Sequence, residues 1–352
     1  MPILAESVDA LVAVDTHLDT HTAVLLNPVG AVLATTTVAT TPAGLAELLA
    51  FAADKAPGER LAWVVEGTRS HGAGLLRVLR AAGQRVIESP RASRKAQRGG
   101  KSDPLDAIAA GRAALGSHSQ AQPRVDGVRE DLRILLASRS HLTTARTATT
   151  NLIKALLVTG PADLREHTRG LNTTAQIRYL AKLSWRRSMA TGEHATLLRE
   201  LRAHAKAVLD LDARLADNLH RTEALVNSVM PALLEEPGVG PVNAAVLFVS
   251  WSHAGRFPTE AAFALCAGVS PLEASSGRHQ RHRLNRGGDR RLNSALHVIA
   301  VTRARCHAPT RAYAERRRTE GKSPREIRRC LKRYIARHLY RIMESHTPQA
   351  TT

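Results

Sequence analysis

Short apolar runs separated by turn residues organise the first 115 residues. Leu11–Val14 is one run and ends at Asp15. Ala23–Leu26 is a second, followed by the turn Asn27-Pro28-Val29-Gly30. Ala31–Val38 is a third, rich in Val and Thr. Three such runs joined by tight turns predict an antiparallel meander. Thr41-Pro42 then supplies an N-cap and a proline at the first helical position. The helix it opens places Leu45, Leu48, Leu49 and Ala52 on one face. Leu61–Val65 predicts a fourth strand ending at Glu66, residues 72–82 a second helix, and Arg85–Ile87 a fifth strand.

Beyond residue 125 the period changes to that of helices. Residues 128–158 carry Leu132, Ile134, Leu135, Leu136, Leu142, Leu152, Ile153 and Leu156, and residues 196–228 carry Leu197, Leu198, Leu201, Val208, Leu211, Leu215, Leu219 and Leu225. Two helices of about 30 residues suit a coiled-coil hairpin or dimerisation arm, and equally a plain bundle. Residues 160–195 read as an irregular insert between them. Pro237-Gly238-Val239-Gly240-Pro241 lies between Leu233-Leu234 and a helix-forming stretch at 243–248. A Gly-x-Gly turn between short helices matches a helix-hairpin-helix, in which Gly238 and Gly240 expose backbone N–H groups to a phosphate; it also suits an ordinary helix–helix turn.

The expected class is therefore α/β followed by all-α. The order β-β-β-α-β-α-β is that of a ribonuclease-H-like domain. The boundaries read as 1–120 for that domain, 121–230 for a helical coiled-coil or dimerisation region, 231–345 for a mainly helical C-terminal domain, and 346–352 for a polar tail.

Charge narrows the function. The 352 residues hold 50 Lys+Arg against 31 Asp+Glu, a net charge of +19. That imbalance calls for a polyanionic partner, with nucleic acid first. Arg278–Arg341 alone holds 20 Lys/Arg and 4 acidic residues. Residues 91–101, RASRKAQRGGK, form a second basic stretch, either a solvated linker or a phosphate-contacting loop. Aromatic residues are 3% of the chain, so base stacking is not the expected binding mode. No run of about 18 apolar residues predicts a membrane span. The N-terminus lacks a basic region before its apolar run, so a secretory signal is not expected. Three cysteines (Cys266, Cys306, Cys330) without C-x-x-C spacing argue for a reducing compartment and against a zinc site. His279 and His282 read as part of a basic face.

Acidic residues in so basic a chain then stand out. Asp15 ends the first strand and Glu66 the fourth. In a ribonuclease-H-like sheet these strands are neighbours, which brings the two carboxylates together. Asp103 and Asp106, in Ser-Asp-Pro-Leu-Asp, are three apart at a helix start and face one way. Each alone has a plain reading: Asp103 a helix cap, Asp15 a turn residue, Glu66 a surface acid. Together, four converging carboxylates repel one another unless they hold divalent cations. Mg²⁺ takes oxygen ligands and is commonly shared with substrate phosphates, and two ions can flank a displacement at phosphorus; Mn²⁺ is the substitute. Asp19 reads as a turn residue. In the C-terminal stretch, Ser275-Ser276-Gly277 is followed by Arg278, Arg281, Arg283 and Arg286, then Gly287-Gly288-Asp289-Arg290-Arg291-Leu292. A serine among arginines suits a nucleophile beside charges that bind phosphate. Ser-Ser-Gly is also a common loop tripeptide.

The acids and the Gly-x-x-Pro…Ser-Gly…Gly-Asp-Arg-x-Leu block resemble the DEDD-type insertion-sequence transposases related to the Piv DNA invertases, over nearly the whole chain. The resemblance implies a RuvC-like domain with Asp15, Glu66, Asp103 and Asp106 as metal ligands. It implies Ser276 as the nucleophile of a covalent phosphoserine link to DNA, with Ser275 as the fallback. It implies a dimer or tetramer, acting on donor and target DNA, guided by a non-coding bridge RNA. Asn293 stands where many members of that family carry Arg, which removes one basic contact from the expected set. Such a protein belongs in the bacterial cytoplasm, at the nucleoid. Three rival readings follow from the residues: a metal-dependent nuclease or junction resolvase without a covalent intermediate, a non-catalytic nucleic-acid-binding protein, and an actin-like kinase. The kinase is disfavoured by Thr16-His17 where a glycine should follow Asp15.

Overall fold

In the computed structural model, residues 3–89, 102–118, 120–183, 192–273, 282–283, 285 and 287–346 are described. The chain forms two compact units, Met1–Arg124 and Val125–Thr352.

The first unit is a five-stranded sheet with helices on both faces. β1 (Ala10–Thr16), β2 (Thr20–Leu26) and β3 (Val32–Ala39) form the expected meander. α1 (Pro42–Lys55) follows, then β4 (Leu61–Val65), α2 (Ala73–Ala81), β5 (Arg85–Glu88) and α3 (Asp103–Leu115). The strand order is β3-β2-β1-β4-β5. β1 is antiparallel to β2 but parallel to β4, with Val14 opposite Val65. The central strand β1 is buried along its whole length because both its faces are covered. Val12, Val14, Leu25, Trp63 and Val65 pack towards α1 and α2 with Leu45, Leu48, Leu75 and Leu79. The alternate residues Leu11, Val24, Leu26, Ala62 and Val64 pack against Ala107, Ala114 and Leu115 of α3. The side-chain period of two thus assigns each strand residue to one helical layer. Thr41 caps α1, its side chain accepting from the Gly44 amide, with Pro42 in the first turn.

Among the described residues, the second unit is helical apart from a two-residue ladder. α4 (Val128–Val158) and α7 (Glu193–Val229) pair along their lengths. Asn218 Nδ2 donates to the Leu135 carbonyl, Arg139 donates to that of Leu215, and Arg146 forks onto Asp212. Position rises along α4 as it falls along α7, so the pair is antiparallel. The stretch at 160–195, read from sequence as irregular, instead contains α5 (Ala162–Arg169) and α6 (Thr173–Ala181). Leu164, Ile177 and Leu180 close a small core with Ile153 and Leu157 of α4 and Leu201, Ala205 and Val208 of α7. Helices of 8 and 9 residues are too short for a clear apolar period, and their stability comes from this packing.

At the other end, Leu132, Leu136, Val226 and Met230 join a core shared with the C-terminal helices. These are α8 (Ala232–Glu235), α9 (Pro241–Trp251), α10 (Glu260–Cys266), α11 (Arg290–Cys306), α12 (Ala308–Thr319) and α13 (Pro324–Ser345). Trp251, Phe263, Leu296, Ile299 and Leu339 are among the buried side chains there. A capping box between Ser323 and Glu326, with Pro324 in the first turn, starts α13.

Candidate active site

The four acids occupy the α3 side of the first unit's sheet. Val14 and Val65 belong to the opposite layer, so Asp15 and Glu66, each one residue further on, turn towards α3. The register supports this. The Glu66 amide donates to the Val14 carbonyl at 3.1 Å, and Thr16 Oγ1 donates to the Glu66 carbonyl at 3.0 Å. Glu66 is therefore pinned to β1 although it lies just past β4. Asp103 and Asp106 sit in the first turn of α3, where negative side chains suit the positive end of the helix dipole. Ser102, not Asp103, is the N-cap residue, and its side chain makes no capping bond.

His17 enters this cluster unannounced. Its Nε2 lies 3.2 Å from Asp15 Oδ2 and 3.4 Å from Asp103 Oδ1. The cause is local: the His17 amide donates to the Thr20 carbonyl, so the chain reverses directly after β1. Asp19 lies in that turn, its carbonyl accepting from the Thr40 amide. The only sequence signal for His17 is its place two residues after Asp15. Asp15, His17 and Asp103 offer three ligand atoms within 4.8 Å of one another, close enough for one cation to touch all three at ordinary metal–ligand bond lengths. Asp15 is buried, while the side chains of His17 and Asp103 are about half exposed, so the cluster opens to solvent.

Electrostatics tie Glu66 to the same place. Burial first, then the negative charges of Asp15 and Asp106, raise its carboxyl above the usual value, and His17 opposes them. A carboxyl raised by burial and by neighbouring acids is the kind of group that a bound cation would bring back towards its ionised form. The residues thus fit a divalent metal: oxygen donors from β1, the residue after β4, and α3, plus one imidazole.

In the second unit the Gly238 turn is held from below. Arg303 of α11 donates through Nε to the Pro237 carbonyl and through Nη2 to Glu236, each at 2.7 Å. Glu236 also lies 3.0 Å from His338 Nε2. Gly238 has φ +78°, and a Cβ there would approach Thr302 and the Ile299 carbonyl at 3.2–3.3 Å. Gly240 is the N-cap residue of α9, and a Cβ on it would meet nothing within 4 Å.

The block that flanks the serines closes on itself. A Cβ on Gly288 would lie 2.3 Å from the backbone N of Gly268, a backbone approach that glycine alone permits. The Asp289 amide donates to the Cys266 carbonyl at 2.7 Å. Asn293 Nδ2 donates to Ala267 at 2.8 Å, so this departure from the family pattern has a structural task. Asp289 caps α11, accepting from the amides of Arg291 and Leu292. Arg290 and Arg291 are exposed in its first turn. β6 (Leu272–Glu273) and β7 (His282–Arg283) pair antiparallel, which places Arg283 on β7. Ser275, Ser276, Arg278, Arg281 and Arg286 lie outside the described residues, as do His279 and the basic stretch 91–101. Among the described residues, no helix is long and apolar enough to cross a membrane.

Comparison with known proteins gives two family matches in chain order. Residues 12–160 match the DEDD transposase model of the IS110 type, and residues 230–315 match the transposase model of the IS116/IS110/IS902 family. A 42 kDa protein of insertion element IS900 from Mycobacterium paratuberculosis is 26% identical over 96% of this chain and 97% of its own length. A 43.6 kDa protein of insertion element IS110 from Streptomyces coelicolor is 37% identical over 29% of this chain and 27% of its own. A probable family 20 transposase of Pseudomonas aeruginosa is 28% identical over 66% and 68%.

Proposed function

Because the chain belongs to the IS116/IS110/IS902 family of insertion-element transposases, an enzyme class that cuts and rejoins DNA, we propose that it does so by metal-dependent phosphoryl transfer through a covalent serine–DNA intermediate. The meeting of Asp15, Glu66, Asp103 and Asp106 on one face of the sheet supports this reading, with the Glu66 carboxyl raised by burial and then by Asp15 and Asp106. In this reading residues 1–120 are a RuvC-like DEDD domain. Residues 121–230 are the oligomerisation region of a dimer or tetramer, and 231–345 the serine-bearing transposase domain, with 346–352 as its tail.

Asp15, Glu66, Asp103 and Asp106 hold divalent cations, Mg²⁺ or Mn²⁺. When bound, these supply Lewis-acid stabilisation of the charge that develops around phosphorus. The Ser276 oxygen forms a bond to phosphorus as one bridging deoxyribose oxygen leaves; the serine loses its proton and the leaving oxygen gains one. The phosphodiester is thereby replaced by a phosphoserine ester of similar energy, so rejoining to a new strand needs no nucleotide triphosphate. Arg278, Arg281, Arg283, Arg286, Arg290 and Arg291 bind the strand and offset its charge. The Gly238–Gly240 turn binds backbone phosphate in the manner of a helix-hairpin-helix. A bridge RNA pairing with donor and target DNA is the second polyanion that the +19 charge serves, at the nucleoid of a bacterial cytoplasm.

Trapping tests this. Wild-type protein should give a denaturation-resistant adduct with DNA, and Ser276→Ala should abolish it. An adduct that survives Ser276→Ala but is lost in Ser275→Ala moves the role to Ser275. One that survives both variants refutes the serine mechanism. Metal-dependent cleavage with no adduct favours water as nucleophile.

A further inference from the structure

We infer that His17 is a nitrogen ligand of the acidic site and makes Asp15–His17–Asp103 a mixed nitrogen–oxygen position that favours manganese over magnesium. This rests on the reading of the acids as a metal site. The four-acid pattern contains no histidine, so nothing in it predicts an imidazole here.

The geometry points to it directly. One imidazole nitrogen, Nε2, faces carboxylate oxygens from two elements far apart in sequence, 3.2 Å from Asp15 and 3.4 Å from Asp103. A nitrogen aimed at two anionic oxygens either lends them a proton or shares a cation with them. Asp15 and Asp103 bring carboxylate oxygens from β1 and α3 to within 4.8 Å of that nitrogen, so a shared cation offsets more of their charge than one proton does. The turn closed by the His17 amide on Thr20 fixes the ring there; a strand continuing straight would carry it past the cluster.

The cluster then has two unlike halves. Asp15, His17 and Asp103 offer two oxygens and one nitrogen, and Glu66 with Asp106 offers oxygen only. Mg²⁺ is hard and holds to oxygen ligands and water, whereas Mn²⁺, a transition ion of otherwise similar oxygen preference, takes an imidazole nitrogen among its oxygens at less cost. The choice of ion should therefore differ between the halves.

Pulsed electron paramagnetic resonance on the full chain loaded with MnCl₂ reads the bond itself, since a coordinated imidazole imposes ¹⁴N modulation on the Mn²⁺ echo. Wild type should show it, a His71→Gln control at an exposed histidine outside the Asp15–His17–Asp103 group should keep it, and His17→Gln should lose it while still binding Mn²⁺. By calorimetry, His17→Gln should weaken Mn²⁺ about tenfold, within the range that loss of a metal-site group costs, and Mg²⁺ by less than about twofold. His17→Asn serves as the second variant should the first melt abnormally. Absence of ¹⁴N modulation in wild type, its survival in both His17 variants, or an equal loss of Mn²⁺ and Mg²⁺ overturns the inference while leaving the metal site intact. Failure of wild type to bind Mn²⁺, or binding unchanged in Asp15→Asn, overturns the metal reading itself.

Discussion

Gly111 of α3 and Ala13 of β1 approach so closely that a Cβ on the glycine would lie 2.9 Å from the alanine Cβ, and 2.5 Å from Leu26 Cδ1. A glycine inside a 13-residue helix costs about 1 kcal/mol against alanine, and here it allows α3 to lie flat on the sheet. The first turn of that helix carries Asp103 and Asp106, so the depth at which α3 beds sets their distance from Asp15 and Glu66. Gly111→Ala should recover about 1 kcal/mol of propensity and lose about 1–3 to overpacking, a net loss of about 1 kcal/mol in chemical denaturation. Strand cleavage should fall far more, about 100-fold for a shift near 1 Å. Gly74→Ala in α2, where a Cβ meets nothing within 4 Å, should leave both unchanged or gain slightly in stability.

The raised carboxyl of Glu66 makes stability depend on pH in the absence of metal. Its folded value lies above the ordinary 4.5, through burial first and then Asp15 and Asp106. The favourable, protonated form is fully present below the unfolded value, and its contribution is lost as pH rises through the elevated one. Melting temperature in chelator should therefore fall across the window just above about pH 4.5, and Glu66→Gln should flatten that fall. A difference curve between the two proteins that stays level over about pH 4–7 would refute the placement. With divalent cation added the sign reverses, because the ion needs the ionised form.

Arg303 and Glu236 form an ion pair at 2.7 Å, with only 8% and 19% of their side chains exposed. Removing one member of a buried pair leaves the other charge stranded, at a cost of about 3–5 kcal/mol. His338 offers Glu236 a partial replacement partner, so Arg303→Ala should fall near the low end, about 3 kcal/mol. Amide exchange at 236–240 should speed up with it, since the Pro237 carbonyl loses its donor as well.

Arg290 and Arg291 sit where a helix least favours cations, in the positive first turn of α11. Their neutralisation should raise stability by about 0.3–1 kcal/mol while weakening DNA binding. The salt dependence of binding should drop by about 0.9 per arginine that touches phosphate. A double Arg→Ala variant with an unchanged salt slope would remove both from the interface.

The sheet was legible because β1 and β4 are apolar runs that end in acids, and Thr41-Pro42 marks a helix start. The order of elements then made neighbours of Asp15 and Glu66. His17 was not legible: a lone histidine after a strand reads as a turn residue, and only the reversal at Thr20 brings its ring back to Asp15. Arg303 was hidden in a basic tract, where one buried arginine looks like its exposed neighbours. The helices at 162–169 and 173–181 escaped because their apolar residues answer to Ile153 and Val208 on distant helices rather than to a period of their own. Ser250, whose Oγ donates to Asp289 at 3.4 Å, gave no sign in sequence either.

Gly268 and Gly288 meet backbone to backbone, and Asn285 Nδ2 donates to the Leu265 carbonyl beside them. Any side chain at Gly288 would have to displace main chain, not a flexible neighbour. The two glycines thus act as a clasp between the end of α10 and the start of α11, and prising it open would loosen the footing of α11 without removing a single apolar contact.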